Sequence, residues 1–301
     1  MRAIVTGGAG FIGSHVCEAL LERGDEAHAV DSLATGNRAN VPDGAELHEV
    51  DIRDERLAEL VADVRPDVVF HLAAQADVGT SVERPDYDAD VNVIGTVRVL
   101  EAARSVGASV VFTSTGGAMY GECPRPALED DPRRPLAPYG TSKLAGEEYL
   151  QTWNRLHGMR NVVCRLANVY GERQLPSLEG GVIAIFLDRM RDGKPTQIFG
   201  DGTQTRDFVY VKDVAAALLA AARGEGVYNV GTAVRTSVLD LHRLCAEVAG
   251  VDAEPQLVDA RPGDLHDSVL DNARVREQLG WQPQRTLEQG LAETWSWVKE
   301  Q

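Results

Sequence analysis

The sequence predicts an α/β protein built on a doubly wound parallel sheet, with a smaller α/β lobe on its C-terminal side. Two observations carry this prediction. Short apolar runs alternate with helical patterns through the first 166 residues, and a glycine-rich turn joins the first run to the first helical pattern. Strands that alternate with helices form parallel sheets, because each helix provides the crossover that a parallel connection needs.

Six runs in this part of the chain have the length and composition of buried strands. They are Ala3–Thr6, Ala27–Asp31, Glu46–Asp51, Asp67–His71, Ser109–Ser114 and Asn161–Leu166. Helical patterns fill the gaps, for example at Ile12–Arg23, Glu55–Val64 and Val91–Val106. The pattern changes near Gly171, and we expect the chain to return to the sheet with strands at Phe208–Val211 and Val227–Val230 around a helix at 212–223.

The domain organisation follows from that change of pattern. We expect a Rossmann-type dinucleotide-binding domain from residues 1–171 plus 207–231. The remaining segments, 172–206 and 232–301, are expected to form the smaller substrate-binding lobe, with helices near 237–249, 273–279 and 286–299. No internal repeat or low-complexity linker interrupts the chain.

The glycine-rich turn at residues 7–13 indicates a dinucleotide. Gly8, Gly10 and Gly13 fit the pattern G-x-G-x-x-G, and Gly7 starts the alternative pattern G-x-x-G-x-x-G. Glycine permits the tight turn, the close approach of the backbone to a pyrophosphate and the packing of the helix on the strand. The first N–H groups of the helix then face the phosphates.

An acidic residue at the end of the second predicted strand selects the cofactor. Asp31 follows Gly13 by eighteen residues, where an acid that binds the ribose hydroxyls of NAD is expected. A carboxylate there would repel the 2′-phosphate of NADP. Arg38 lies a few residues further on and could reduce that repulsion. The prediction remains NAD.

Composition limits the other partners. The formal net charge of −16 argues against nucleic acid and anionic membranes, and no apolar run approaches the ~20 residues of a membrane span. The first strand begins almost at Met1, which predicts a cytoplasmic protein without a signal peptide. Cys17, Cys123, Cys164 and Cys245 show no C-x-x-C spacing, so we expect free thiols and no metal site.

A Tyr and a Lys four residues apart form the predicted catalytic pair. Tyr139 and Lys143 follow Pro138, at the start of an Ala- and Glu-rich helical pattern. Residues four apart share one helix face, and an ammonium group beside a phenol lowers its pKa because it favours the phenolate. Tyr139 would then act as a general acid–base group near neutral pH.

At this point the chain resembles the extended short-chain dehydrogenase/reductase family, and within it the UDP-glucose 4-epimerase-like sugar-nucleotide epimerases. The resemblance covers the whole chain. Its motifs are residues 6–13 (TGGAGFIG), 31–36 (DSLATG), 51–52 (DI), 71–75 (HLAAQ), Asn92, 139–143 (YGTSK), 200–208 (GDGTQTRDF) and 261–264 (RPGD).

The resemblance implies a role for each matching position. The cofactor-binding set is Gly7, Gly10, Phe11, Ile12 and Gly13 around the pyrophosphate, Asp31, Ser32 and Asn37 around the adenosine ribose, Asp51 and Ile52 at the adenine, Leu72, Ala73, Ala74, Gln75 and Asn92 on the nicotinamide side, and Lys143 at the nicotinamide ribose. The substrate-binding set is Asn168 at a phosphate or the sugar, Arg206 and Arg261 at the diphosphate, Asp264 at the nucleotide ribose, and Val182, Phe199 and Phe208. A planar guanidinium suits phosphate binding.

One position departs from the family pattern. The Ser or Thr that usually assists the Tyr, counted back from Met119-Tyr120-Gly121, falls on Gly116. A glycine cannot relay a proton, so we expect Thr115 or Ser114 to assist. Tyr139 acting directly on the sugar hydroxyl remains open.

The same region and the run after Tyr170 disfavour related activities. Sugar 4,6-dehydratases of the family carry Thr-Asp-Glu before the Tyr-Gly, and decarboxylases usually carry a Glu; neither is present here. UDP-glucuronate 4-epimerases tend to carry an Arg where this chain has Leu175, and Glu172 adds negative charge nearby. A neutral hexose therefore fits better.

The expected function is an NAD-dependent 4-epimerase that interconverts UDP-glucose and UDP-galactose through a 4-keto intermediate, with NAD tightly bound. The alternatives are a UDP-GlcNAc or UDP-glucuronate 4-epimerase, a dTDP-hexose epimerase or dehydratase, a reductase that consumes cofactor, and a non-catalytic NAD-binding protein. The resemblance also implies a homodimer, with Glu101–Val106 and Leu144–Leu156 as expected contacts.

Overall fold

The computed structural model describes residues 1–122, 125–176, 181–260 and 265–301. Its centre is a seven-stranded, fully parallel sheet with the strand order β11-β6-β5-β4-β1-β2-β3. The strands are β1 Arg2–Thr6, β2 Glu26–Asp31, β3 Glu46–Glu49, β4 Val68–His71, β5 Ser109–Thr115, β6 Val162–Leu166, β7 Asn168–Tyr170, β8 Gln197–Phe199, β9 Thr205–Arg206, β10 Phe208–Tyr210, β11 Gly226–Val230, β12 Thr236–Ser237, β13 Gln256–Val258 and β14 Asp267–Ser268. The predicted fold class is confirmed.

Helices cover both faces of this sheet. They are α1 Phe11–Glu22, α2 Arg56–Val64, α3 Val78–Glu83, α4 Pro85–Ala89, α5 Gly95–Val106, α6 Pro138–His157, α7 Val182–Arg191, α8 Val211–Ala221, α9 Val238–Ala249, α10 Ala273–Leu279 and α11 Leu287–Val298. A 3-10 turn at Arg38–Asn40 and a π-helical turn at Asp90–Ile94 complete the described helical structure. No helix in the described ranges is long and apolar enough to cross a membrane.

Two apolar cores hold the sheet between its helices. Helices α1 and α8 pack on one face, and α2, α5 and α6 pack on the other. The central strands are buried on both faces, which explains why they appear in the sequence as continuous apolar runs rather than alternating ones. All parallel strands end at one edge of the sheet, and the loops at that edge contain the predicted cofactor and catalytic residues.

The expected return of the chain to the sheet at Phe208 is wrong. Strand β10 pairs with β7 in a separate two-stranded sheet, and only β11 joins the main sheet. The edge of β6 is already occupied by β11. This pairing continues beyond β6, because the Ala167 N–H donates to the Val230 carbonyl (2.9 Å). The Phe208 strand therefore pairs with β7, which the sequence analysis did not predict.

A third apolar core lies under the C-terminal segments. It combines α7, α9 and α11 with side chains from the first 171 residues, among them Phe11 on α1 and Tyr170 on β7. Small sheets β12-β9-β14 and β13-β8 border this core. The division into 1–171 plus 207–231 and 172–206 plus 232–301 stays a prediction.

Candidate active site

The glycine turn brings the start of α1 against the first strand. Gly7 has φ +72°, and a Cβ at Gly13 would lie 2.1 Å from the Gly7 carbonyl oxygen. Larger residues therefore cannot occupy these positions without moving the backbone. No side chain caps α1 at Gly10, so the N–H groups of its first turn, at Phe11, Ile12 and Gly13, are available to an anion.

Asp31 is buried at the end of β2, next to this turn. Its carboxylate accepts hydrogen bonds from Ala9 N–H (3.0 Å) and Leu33 N–H (2.8 Å). Asn37 donates its N–H to the Ala9 carbonyl (2.9 Å), so residues 31–37, including Ser32, fold back over the glycine turn. The Arg38 guanidinium donates a hydrogen bond to the Glu49 carboxylate (2.7 Å). Arg38 is therefore paired with Glu49 and not with Asp31.

The two residues expected at the adenine differ in accessibility. Asp51 is partly exposed and its pKa is held below its ordinary value, chiefly by side-chain hydrogen bonds from Arg53. The Ile52 side chain is buried in the core beside α5, where a Cβ on Gly95 would lie 2.5 Å from Ile52 Cδ1. Only the backbone of Ile52 remains for an adenine contact.

The stretch 72–75 is fixed after β4 by buried polar groups. The Thr6 hydroxyl accepts hydrogen bonds from the N–H groups of Leu72 and Ala73, both 3.2 Å. The Gln75 backbone exchanges two bonds of 2.9 Å with the side chain of Asn92. Asn92 also donates to Asp88 (3.0 Å) and to Ser142 (3.1 Å) on α6. This network ties the segment that includes Ala74 to α6, the helix that contains the predicted catalytic pair.

Lys143 is buried at the C-terminal edge of the sheet. Its ammonium group donates to the Thr113 carbonyl (3.0 Å) and lies 4.9 Å from the centre of the Phe112 ring. Burial lowers the Lys143 pKa to about 8, although the nearby Asp88 and Glu147 carboxylates act in the opposite direction. His71 is also buried, and its burial lowers its pKa to about 3. The two ring nitrogens of His71 lie at hydrogen-bond distance from the hydroxyls of Thr6 and Thr96.

Tyr139 lies in the first turn of α6, half-buried, four residues before Lys143. The turn is held close to the loop after β5, because a Cβ on Gly140 would lie 2.6 Å from the Ala118 carbonyl oxygen. The two hydroxyls expected to assist, Ser114 and Thr115, are the last residues of β5, directly before that loop. Helix α6 therefore carries Tyr139 and Lys143 one turn apart, and Lys143 contacts the end of β5 at Thr113.

The two hydroxyls have different surroundings. Thr115 is half-buried, and its oxygen accepts a hydrogen bond from Ala118 N–H (3.1 Å). Ser114 is 4% exposed, and its hydroxyl has no hydrogen-bond partner among the described residues. Because side chains alternate along a strand, Ser114 lies on the same face of β5 as Phe112, the face covered by α6.

Packing explains the glycine at position 116. A Cβ there would lie 2.4 Å from Cδ1 and 2.7 Å from Cδ2 of Leu270, which is buried. The Gly116 N–H donates to the Leu166 carbonyl (2.7 Å), so the loop is fixed to the sheet. The position at which the family usually places a hydroxyl is thus filled by Leu270.

We expect Gly116→Ser to lower the free energy of unfolding by about 1–3 kcal/mol, because an added side chain overpacks this position. Urea unfolding at 25 °C measures the change. In a Leu270→Ala background, whose own cost is measured separately, the added serine should cost less than 1 kcal/mol. An equal cost in both backgrounds would show that Leu270 does not exclude the side chain.

The expected substrate residues differ in their surroundings, and two of them lie outside the described residues. Asn168 begins β7, and its amide oxygen would lie 3.4 Å from a Cβ on Gly117, beside the catalytic loop. Arg206 on β9 donates to the carbonyl of Thr205 (2.8 Å). Phe208 is buried in the third core, while Val182 and Phe199 are only partly buried. Arg261 and Asp264 lie outside the described residues.

The Glu172 carboxylate, predicted to add negative charge near the sugar, is paired with other polar groups. Its carboxylate accepts bonds from the Tyr210 hydroxyl (2.9 Å) and the Lys212 ammonium (2.9 Å). The negative charge is therefore balanced on the α8 side, because Tyr210 and Lys212 lie at the start of that helix. Leu175 is exposed and carries no charge that could bind a carboxylate.

A buried ion pair under the catalytic helix was missed by the sequence analysis. Arg165 on β6 makes two bonds, of 2.9 and 2.6 Å, to Glu147 on α6. Its other nitrogen donates to the Tyr120 hydroxyl (2.7 Å), which donates in turn to Asn229 (2.7 Å). The sequence does carry a signal for this pair, which is an Arg within an otherwise apolar strand. A buried charge needs a partner of opposite charge. The pair anchors α6, and with it Tyr139 and Lys143.

Comparisons with known proteins agree with this geometry. Residues 3–231 match the NAD dependent epimerase/dehydratase family. The chain belongs to this family. Its members include a UDP-glucose 4-epimerase from Mycolicibacterium smegmatis, 46% identical over 98% of this chain and 97% of the relative. Membership of the NAD dependent epimerase/dehydratase family confirms the resemblance inferred from the motifs.

Two solved structures are similar over nearly their whole length. The crystal structure of a UDP-glucose 4-epimerase from Thermotoga maritima with UDP-glucose is 43% identical to this chain, with a TM-score of 0.97. The match covers 100% of this chain and 99% of the Thermotoga maritima chain. A UDP-glucose 4-epimerase from Thermus thermophilus, in complex with NAD, is 43% identical with a TM-score of 0.93 and 99% coverage of both chains.

Proposed function

We propose that this protein is an NAD-dependent 4-epimerase that interconverts UDP-glucose and UDP-galactose. The observation that carries the proposal is the placement of Tyr139 and Lys143 in the first turns of α6, beside the edge of the sheet that contains Asp31 and the glycine turn. The full-length similarity to UDP-glucose 4-epimerases supports the choice of substrate.

The residues present fit NAD. The uncapped first turn of α1 offers N–H groups to a pyrophosphate, and a Cβ on Gly10 would meet only the Gly7 carbonyl oxygen, at 3.1 Å. Each oxygen of the buried Asp31 carboxylate accepts a single backbone bond in the structure, so lone pairs remain for ribose hydroxyls. Lys143 and the 72–75 stretch would line the nicotinamide end.

The chain's own residues handle the proton and the position of the sugar. NAD supplies the reversible oxidation at C4 of the hexose. Tyr139 would take the proton of the C4 hydroxyl as the 4-keto sugar forms, and would return it after the sugar has turned over. The Lys143 charge favours the phenolate form of Tyr139 during this exchange. Epimerisation restores the cofactor in each cycle, so NAD stays bound and is not consumed.

We propose Thr115 as the hydroxyl that contacts the sugar. Its oxygen is held by Ala118 N–H, and its own proton remains to be donated to the substrate, whereas Ser114 is almost fully buried. Thr115→Val is expected to lower kcat by about 10²-fold, the lower end of the contribution of one acid–base group. Ser114→Ala should have the smaller effect. The reverse order in steady-state rates would assign the role to Ser114.

A neutral hexose remains the proposed sugar. Leu175 offers no charge for a carboxylate, and the Glu172 carboxylate is already bonded to Tyr210 and Lys212. The proposed nucleotide is UDP, as in the relatives named above.

The deciding experiment is proton NMR of the anomeric region, with purified protein and UDP-galactose but no added NAD. We expect UDP-glucose signals to appear, which would demonstrate both 4-epimerase activity and retained cofactor. Parallel samples with UDP-GlcNAc, UDP-glucuronate and dTDP-glucose test the substrate. Conversion of one of those, with no turnover of UDP-galactose, would contradict the proposed substrate. Stoichiometric oxidation of added NADH would indicate a reductase instead.

The buried lysine predicts the alkaline limit of activity. Lys143 loses its proton as the pH rises through about 8, and its support for the Tyr139 phenolate is lost with it. We expect kcat to fall above about pH 8. Asp88→Asn should move this fall to lower pH, because the Asp88 charge raises the Lys143 pKa while the amide keeps the oxygen that Asn92 and Gln75 bond to.

A matched control for the pH profile is Asp86→Asn, which changes an exposed carboxylate on the same helix, α4. Its profile should coincide with that of the unchanged protein. Identical profiles for Asp88→Asn and Asp86→Asn would show that Asp88 does not control Lys143.

We also propose a homodimer through the outer faces of α5 and α6. Tyr149 and Leu156 are 40% and 68% exposed on α6, whereas Leu150 is buried in the core and Glu101 bonds to Trp153 (2.8 Å) within the subunit. Leu156→Glu is expected to convert the dimer to a monomer in sedimentation velocity. The buried free thiols of Cys17, Cys164 and Cys245 support a reducing, cytoplasmic location.

A further inference from the structure

Three side chains meet on the surface of the edge strands, away from the proposed active site. His28 is on β2, and Glu46 and His48 are on β3. His28 Nδ1 lies 3.0 Å from His48 Nε2 and 3.5 Å from Glu46 Oε2, and His48 Nε2 lies 3.8 Å from Glu46 Oε1. One ligand atom from each of the three residues lies within 4.8 Å of the other two.

The register of the strands produces this convergence. β2 and β3 are parallel, with His28 paired to Glu46 and Val30 paired to His48. Side chains two residues apart point to the same face, so Glu46 and His48 share a face with His28. That face is the α2 and α5 side of the sheet, because Val30 belongs to the apolar core on that side.

The distances suit a shared metal ion. Ligand atoms at about 2.1 Å from one tetrahedral ion lie about 3.4 Å apart. The two histidine nitrogens lie 3.0 Å apart, and each lies 3.5 or 3.8 Å from one of the two Glu46 oxygens, so small shifts of the exposed Glu46 side chain would complete the set. Two imidazoles and one carboxylate with an open fourth position are a donor set that Zn²⁺ and related divalent transition ions prefer.

A second carboxylate orients His28. Its other ring nitrogen, Nε2, lies 3.0 Å from Glu26 Oε1, and Glu26 is fixed in turn by Arg2 at 2.9 Å. Metal-binding histidines usually bond their second nitrogen to such a carboxylate, which fixes the ring and its tautomer. Two histidines that only hydrogen-bond to each other do not require a carboxylate beside each ring nitrogen of His28. Here Glu26 lies beside Nε2 and Glu46 lies beside Nδ1.

We propose that His28, Glu46 and His48 bind one divalent transition-metal ion, of the Zn²⁺ class, with water in the remaining position. His28 is buried, but the Glu46 and His48 side chains are 66% and 18% exposed, so an ion can reach them from solvent. The ion would link β3 to β2. β3 is the last strand of the described sheet and pairs with β2. This site is independent of the proposed epimerase activity.

The ion would act on the folded state. The ligands come from two strands and meet only when these strands are paired, so binding would stabilise the folded protein. The exposed edge strand β3 begins with Glu46 and ends with Glu49. An ion at its first residues would hold β3 to β2 at the start of their paired segment, at the end away from Asp31.

The test is isothermal titration of the chelator-treated, dialysed protein with ZnCl₂ at pH 7.5, together with Co²⁺ absorption spectra. We expect one ion per chain and a d–d spectrum typical of four-coordinate Co²⁺. His48→Ala and Glu46→Ala should each weaken Zn²⁺ binding by more than 10-fold, and Glu26→Gln should weaken it by about 10- to 100-fold. His157→Ala, which removes an exposed imidazole from α6, is the matched control.

Two further measurements keep the result interpretable. Thermal unfolding without metal should give similar midpoints for the original protein and the variants, and Zn²⁺ should raise the midpoint of the original protein but not of His48→Ala. Cys123→Ser should bind Zn²⁺ like the original protein, which excludes a thiolate site. Absence of binding, or unchanged affinity in both His48→Ala and Glu46→Ala, would overturn the proposal.

Discussion

Replacing Tyr139 by phenylalanine is expected to lower epimerase turnover by about 10²- to 10⁴-fold, the usual contribution of one positioned acid–base group. The variant keeps the aromatic ring and loses only the hydroxyl, so the first turn of α6 and its contact at Gly140 should persist. The rate of UDP-glucose formation from UDP-galactose, followed by NMR or by a coupled assay, measures the loss.

The matched control is Tyr149→Phe, because Tyr149 lies on the same helix but is 40% exposed. It should retain turnover within about two-fold, because it removes a single hydroxyl ten residues further along α6 from Tyr139. The content of bound NAD should be unchanged in both variants. Turnover of Tyr139→Phe within ten-fold of the original protein would remove Tyr139 from the proposed role.

The second large effect is expected at the buried ion pair. Glu147→Ala leaves the Arg165 guanidinium buried without its carboxylate, since the Arg165 and Glu147 side chains are 2% and 0% exposed. Breaking a buried pair in this way costs about 3–5 kcal/mol of folding free energy. Urea unfolding at 25 °C, on protein with the same NAD content, measures this loss.

The neighbouring residue provides the control. Glu148 is 49% exposed and pairs with Arg133 at 2.7 Å, so Glu148→Ala should cost less than about 1 kcal/mol. A double variant, Glu147→Leu with Arg165→Met, should recover part of the loss because both charges leave the interior together. Equal costs for Glu147→Ala and Glu148→Ala would show that burial does not strengthen the Arg165 pair.

Local spacing explains why most of the fold and part of the site were predictable. The glycine turn, the acid at Asp31 and the four-residue interval between Tyr139 and Lys143 are patterns within one or two neighbouring elements. Each depends on a period of the strand or the helix, which the sequence displays directly. The alternation of strands and helices then limits the sheet to a parallel arrangement.

Contacts between distant segments were not predictable in this way. The pairing of Arg165 with Glu147 depends on where α6 crosses the sheet, and Gly116 is explained only by Leu270, which lies far along the chain. The cluster of His28, Glu46 and His48 requires the register of β2 and β3. The Phe208 strand was assigned to the wrong sheet, because β propensity indicates a strand but not the neighbouring strand with which it pairs.

The position of β11 has a consequence for protein synthesis. This strand completes the sheet beside β6, but some sixty residues separate the two in the chain, from Leu166 to Gly226. While the ribosome makes that interval, the apolar strand β6 has an open backbone edge that can pair with another nascent chain. Slow translation here prolongs the exposure, so chaperone capture is most useful between the emergence of β6 and that of β11.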